Sequence, residues 1–180
     1  MQKSDLSLFL DLSNIPTTSF YENLVSDFIK SKLKEYDLSF SEDKWGNIEV
    51  LLSGETEKEV VYISHMDHPG FEIVDKIADN LYKAKTLGGL PKLCDQENAK
   101  VKIISGNDHY EGKLIPLDDP NSDKFRFVNS DKWLNKEFVL VQIEGKELDY
   151  PLPVVFDLPS PIIHENEIIT PVADDLAGCS

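Results

Sequence analysis

Val60-Val61-Tyr62-Ile63-Ser64-His65-Met66-Asp67 is the stretch on which the fold reading turns. Four consecutive apolar residues suit a strand buried on both faces, as strands of parallel sheets are. The run ends directly in polar side chains, and open α/β sheets place their ligands beyond the ends of such strands. The stretch therefore predicts an α/β sheet with a polar site at its mouth.

Upstream, residues 5–12 carry Leu6, Phe9, Leu10 and Leu12, the pattern of a short amphipathic helix that Ser4 could cap and Pro16 ends. Ser19 and Glu22 have capping-box spacing, and Leu24, Val25, Phe28, Ile29 and Leu33 follow at helical intervals to about Glu35. From residues 38–40 the pattern turns to alternation. Trp45-Gly46-Asn47 then reads as the turn of a hairpin whose second strand covers 48–52.

Downstream, the character changes. Short β-like runs at 71–77, 81–87, 101–105, 113–117, 125–128 and 138–143 alternate with Gly, Pro, Asn and Asp turns. This spacing predicts a small β-barrel or sandwich. At 162–175 the pattern returns to a buried strand followed by a loop, so the β-rich part reads as an insertion. Gly88-Gly89 reads as a loop needing positive φ, without the further glycines of a phosphate cradle. Asp118-Asp119-Pro120 reads as a surface turn.

The chain has 180 residues with 18 Lys+Arg against 33 Asp+Glu, a net charge of −15. Such a charge repels phosphate backbones and anionic headgroups, which argues against nucleic acid and membrane partners. Two cysteines, Cys94 and Cys179, make no disulfide framework and suit a reducing compartment. With no secretory signal and no apolar run of membrane-spanning length, the expected location is cytoplasmic.

Two groups of residues could carry chemistry. His65 and Asp67 are two apart, so in an extended segment they point the same way. A metal-ligating histidine needs its other ring nitrogen held, commonly by a carboxylate. On its own, this spacing more commonly belongs to a histidine hydrogen-bonded to a neighbouring aspartate at a strand end. His68 points to the opposite face and precedes Pro69, so it reads as a loop histidine with at most a substrate-facing role. Asp174-Asp175 sits among small and apolar residues, where paired carboxylates call for counter-charge or metal. One aspartate can bridge two cations. Equally, the pair could be the acidic N-terminus of a helix starting near Leu176. His109 and His164 read as loop residues without ligand-spaced neighbours, and neither cysteine has a histidine near it in sequence.

Taken together, these pieces resemble the dinuclear-metal aminopeptidases of the glutamyl-aminopeptidase, deblocking or tetrahedral (TET) type. The matching elements run in the family's order: a helix after Ile15-Pro16-Thr17, the Trp45-Gly46-Asn47 turn and the strand into His65-Met66-Asp67-His68-Pro69-Gly70-Phe71. Gly88-Gly89, the β-rich insertion and Val172-Ala173-Asp174-Asp175-Leu176-Ala177-Gly178-Cys179 complete the set. The resemblance implies an α/β metallopeptidase (phosphorylase/hydrolase-like) sheet, incomplete here. Residues 1–70 and 158–180 would form it, with a β-barrel-like dimerisation domain inserted at 71–157.

Carried over residue by residue, His65 becomes a metal ligand and Asp67 the catalytic-site carboxylate that orients it. Asp174 becomes the ligand bridging two metals, and Asp175 a supporting residue joined to it by a cis peptide. The implied cofactors are two divalent ions, zinc first, with cobalt or manganese as alternatives. The implied substrates are peptides, and the implied assembly is a homo-oligomer through the β-domain, whose short strands would leave edges to cover. Three departures stand out. His68 and Pro69 replace the family's usual Glu and Ile, and Leu176 replaces an arginine. The sequence also stops before the family's Glu-Glu pair, a further aspartate and a last histidine. The expectation is thus the N-terminal part of an aminopeptidase, inactive as this chain. The alternatives are a related dinuclear-metal deacylase or carboxypeptidase, against which the early β-insertion argues, and a non-catalytic association module.

Overall fold

The structure, a computed structural model, describes residues 3–54, 60–92, 94–95, 98–106, 108–117, 134, 136–145, 147–165 and 167–180. The chain divides into two compact units, residues 1–17, 22–67 and 159–180 in the first, and 18–21 and 68–158 in the second.

The first unit holds helices α1 (Lys3–Ser13) and α2 (Asn23–Glu35). Leu12 of α1 and Val25 of α2 are fully buried against Leu176, with Leu8, Phe28, Ile29 and Met66 around them. The C-terminus of α1 is closed by its own side chains: Ser13 Oγ donates to Phe9 O and Asn14 Nδ2 to Leu10 O, each at 2.7 Å. These bonds satisfy carbonyls that a helix end leaves open. At the end of α2, Asp37 turns left-handed at φ 56, and Leu38 N–H reaches back to Leu33 O at 2.8 Å.

Several expectations need correction here. Ser4 lies inside α1 rather than capping it. The capping box does not form: Glu22 is the N-cap residue of α2 and makes no side-chain cap bond. Ser19 instead lies in a turn closed by Tyr21 N–H on Thr18 O. The hairpin forms but is short, β1 (Ser41–Glu42) against β2 (Ile48–Glu49). Asp43 organises its turn by accepting bonds from Trp45 N–H, Asn47 N–H and Asn47 Nδ2, and these hold its carboxyl below the ordinary value.

The decisive run, Val60 to Ile63, forms no strand, and Tyr62 and Ile63 are 92% and 88% exposed. A strand buried on both faces needs a neighbour on each side, and no described residue supplies one. Strands β9 (Ile162–His164) and β10 (Glu167–Ile169) likewise pair as an exposed antiparallel hairpin rather than forming a buried strand.

The second unit is a closed six-stranded barrel. Its strands are β3 (Gly70–Ala78), β4 (Leu81–Leu87), β5 (Lys100–Ser105), β6 (Asp108–Ile115), β7 (Phe138–Ile143) and β8 (Leu152–Phe156). Around the barrel they run β3-β4-β7-β6-β5-β8, and β8 closes the ring by pairing with both β5 and β3. Alternation in the sequence dictates the inside. Tyr82, Ala84 and Thr86 of β4 and Val139, Val141 and Ile143 of β7 are buried, while the residues between them are less so. They pack with Phe71, Ile73, Val101, Ile103, Leu114 and Val154 into one core. The buried Tyr82 hydroxyl is not wasted, since it accepts Leu148 N–H at 3.0 Å.

Register irregularities between Ile73 and Asp75 and between Lys76 and Ala78 bend β3, as bulges do in closing sheets. Gly88 has φ +73, as its sequence context required. Closure overturns the idea of free strand edges in this domain, because every barrel strand is paired on both sides. His109 and His164 lie on strands β6 and β9 rather than in loops. Strand β8 was not anticipated, and the readings at 118–120 and 125–128 lie outside the described residues.

Candidate metal site at His65 and Asp174

The extended segment that follows Ile63 carries His65 and Asp67, and it is fixed from two directions. Thr17 Oγ1 donates to Met66 O at 3.0 Å, and the Met66 side chain packs on the Leu12–Val25–Leu176 cluster. Residues 174–179 form a series of tight turns rather than a helix, closed by Ala177 N–H on Ala173 O, Gly178 N–H on Asp175 O and Cys179 N–H on Leu176 O. Leu176, fully buried in the same cluster, anchors these turns to α1 and α2. Apolar packing thus brings two distant parts of the chain together and leaves polar atoms facing each other above it.

Those atoms centre on His65. Its Nδ1 lies 3.0 Å from Asp67 O and 3.2 Å from Asp67 Oδ1. Its Nε2 lies 3.6 Å from Asp174 Oδ1. With the Nδ1 proton directed at Asp67, Nε2 presents a lone pair to a carboxylate. Two acceptors facing each other at 3.6 Å could both ligate one metal ion placed beside them. Tetrahedral zinc at ordinary ligand distances separates two donor atoms by about 3.4 Å. The pair therefore fits two positions of one ion's shell, with Asp67 on the far ring nitrogen in the place where an orienting carboxylate stands.

The fit goes no further. Among the described residues, no group of three or more His, Cys, Asp or Glu is arranged to hold an ion. The Asp174 side chain is 97% exposed, so the expectation of paired buried carboxylates is corrected. Its turn sits at the rim of the unit, where water supplies the solvation that burial would have removed. The Asp174–Asp175 peptide bond is cis, and the Asp175 carboxylate lies beside Gly178, not against His65. His68 belongs to the barrel unit.

Sequence reading gave Ser64 no role and saw no partner for Cys179. Ser64 Oγ and Cys179 Sγ are 3.1 Å apart, and Cys179 Sγ lies 3.6 Å from His65 O. Burial raises the Cys179 thiol above its ordinary value, and the nearby Asp175 charge acts in the same direction. The available signal was the small-residue pair Gly178-Cys179, separated from the aspartates by Leu176 and Ala177, a mark of close approach between backbones.

No protein-family model and no curated protein matches this sequence. Solved structures do match. The TET1 peptidase of Pyrococcus horikoshii, described as able to assemble into a tetrahedron or a large octahedral shell, is 20% identical with a TM-score of 0.73, over 97% of this chain and 53% of its own. A TET aminopeptidase from a marine-sediment Thaumarchaeota archaeon is 18% identical with a TM-score of 0.68, over 91% and 47%. A Thermotoga maritima protein described as an endoglucanase is 24% identical with a TM-score of 0.70, over 96% and 51%. At these identities what is shared is the fold, and this chain spans about half the length of the solved chains it matches. Among the described residues, no helix is long and apolar enough to cross a membrane.

Proposed function

We propose that this chain is part of a metal-dependent aminopeptidase and contributes one side of its metal centre. The observation that carries the reading is the 3.6 Å approach of His65 Nε2 to Asp174 Oδ1, with Asp67 on the opposite ring nitrogen. The TET-type peptidase neighbours support the peptidase assignment through a shared fold.

In this reading His65 and Asp174 are ligands of divalent ions, zinc first and cobalt or manganese as alternatives. When bound, such ions polarise a peptide carbonyl and lower the pKa of a water molecule. Asp67 fixes the His65 tautomer by accepting the Nδ1 proton, so that Nε2 stays available as a donor atom. Asp175 supports the turn that presents Asp174. Substrates are peptides with a free N-terminus, the assembly is a homo-oligomer involving the barrel, and the location is the cytoplasm.

A catalytic zinc normally has three protein ligands and an open position, and the pair here supplies two donors. A positioned general base, typically worth about 10²–10⁴-fold, is not among the described residues that converge there either. The 180-residue chain is therefore expected to bind zinc weakly and to release no amino acid from aminoacyl substrates at an enzymatic rate. Isothermal titration with zinc, paired with an aminopeptidase assay, tests this. Weak, chelator-reversible binding that disappears in His65→Ala and in Asp174→Ala supports the proposal, and binding unchanged in both variants overturns it. The same lack of ligands favours one second reading, a non-catalytic association module, which predicts no zinc binding at His65 at all.

A further inference from the structure

Nothing in the His65–Asp174 pair explains why an exposed aspartate on a chain of turns should stay within reach of a histidine on a separate segment. Leu176, fully buried, and Cys179, packed against the same cluster, hold those turns from below. The upper contact is made by the two residues that follow Ala177.

A Cβ placed on Gly178 would lie 2.7 Å from Ser64 Cβ and 2.7 Å from Asp175 Oδ1. Carbon atoms do not approach so closely, so any side chain at 178 must push the turn away from Ser64 and displace the Asp175 carboxylate. The absence of a side chain is what lets the turn lie against the segment bearing His65. Next to it, the Cys179 thiol has one proton. When that proton is donated to His65 O, the Ser64 hydroxyl is the donor to sulfur. The thiol thus joins the turn to both Ser64 and the backbone of the candidate ligand itself.

We propose that Gly178 and Cys179 are positioning residues that hold Asp174 opposite His65, Gly178 through close approach to Ser64 and Cys179 through its bonds to the Ser64 hydroxyl and His65 carbonyl. This rests on the metal-site reading for its consequence, but the geometric claim is independent of any bound ion. Neither residue touches the reacting atoms, and both act through Asp174.

The experiment uses the whole chain and the variants Gly178→Ala, Cys179→Ala and Cys179→Ser, with two readouts. The first is metal-free: nuclear Overhauser contacts between the His65 ring and the Asp174 side chain. They are expected in the parent and in Cys179→Ser, which keeps an O–H donor, weakened in Cys179→Ala, and lost in Gly178→Ala. The second is zinc affinity, expected to fall about 10–100-fold in Gly178→Ala, the range seen when groups orienting a ligand are lost, and to recover in Cys179→Ser relative to Cys179→Ala. Unchanged resonances of α1 and α2, the helices of the unit that carries the site, identify a folded variant. If a folded Gly178→Ala keeps the His65–Asp174 contacts, the positioning role is wrong. It is also wrong if Cys179→Ser behaves like Cys179→Ala in both readouts. If the parent binds no zinc but Gly178→Ala loses the contacts, positioning stands and the metal reading alone fails.

Discussion

Lys136 Nζ lies 2.7 Å from Asp95 Oδ2, and Asp95 is wholly shielded from solvent. The second oxygen, Oδ1, is buried without a hydrogen-bond partner among the described residues. The lysine is therefore the charge that makes this carboxylate tolerable inside the barrel unit. Lys136→Met is expected to destabilise that unit by about 3–5 kcal/mol, because it leaves a buried charge uncompensated. Adding Asp95→Leu should restore most of the loss. Urea unfolding followed by barrel fluorescence checks both, and a single variant as stable as the parent would refute the argument.

The Tyr21 hydroxyl donates to Glu72 Oε1 at 2.6 Å, and burial, followed by this bond and the Glu72 charge, raises its pKa from 10.0 to about 12. A proton held more tightly in the folded state stabilises it fully below pH 10, and that contribution disappears as pH rises from 10 to 12. A shift of one pKa unit is worth about 1.4 kcal/mol, and screening of a partly exposed phenol cuts the total to about 1 kcal/mol. Thermal melts between pH 9 and pH 12 should show a loss in this window that Tyr21→Phe lacks. Equal pH dependence in the two proteins would show that the bond plays no part (the pH limits are about those of the titration).

Asp67→Asn keeps the size of the side chain near His65 Nδ1 but removes its charge. Zinc affinity is expected to fall about 10–100-fold, with the fold unchanged by circular dichroism. A zinc isotherm identical to the parent's would remove Asp67 from its orienting role.

Val61 and Ile63 stand exposed on a run with no described neighbour strand. Exposed apolar surface of this kind promotes association. Val61→Lys with Ile63→Lys is expected to reduce both dye binding and concentration-dependent association, read by fluorescence and sedimentation. No change in either would mean that the run is not the sticky surface.

The barrel was legible because alternation is a local property. Leu81–Leu87 and Phe138–Ile143 emerge with the bounds the pattern marked, since one face of each strand had to be apolar whatever it paired with. Strand β8 escaped because Pro151 and Pro153 break its pattern and read as punctuation. Both helices were legible from periodicity, whereas the cap of α2 depends on the backbone path through Phe20, at φ 72, which spacing alone does not reveal. Residues 60–63 failed for the opposite reason. An apolar run states what a segment would prefer to bury, but burial is conferred by neighbours that lie elsewhere. At the site, the residue types pointed to His65 and Asp174, while the thiol, the hydroxyl and the glycine between them speak only through a distance.

One consequence follows from how the barrel is threaded. The chain enters on β3 and leaves on β8, and these two strands pair directly, with Phe71 opposite Val154. A segment whose two ends are neighbours can be cut from its host and the host rejoined with a short bridge, because no gap has to be spanned. The barrel is in this sense a cassette, transferable to another protein or replaceable by a turn. Its latch is Tyr21, which binds Glu72 from a piece of chain that precedes the cassette. A transplant that omits residues 18–21 would carry the ring of strands but leave its fastening behind.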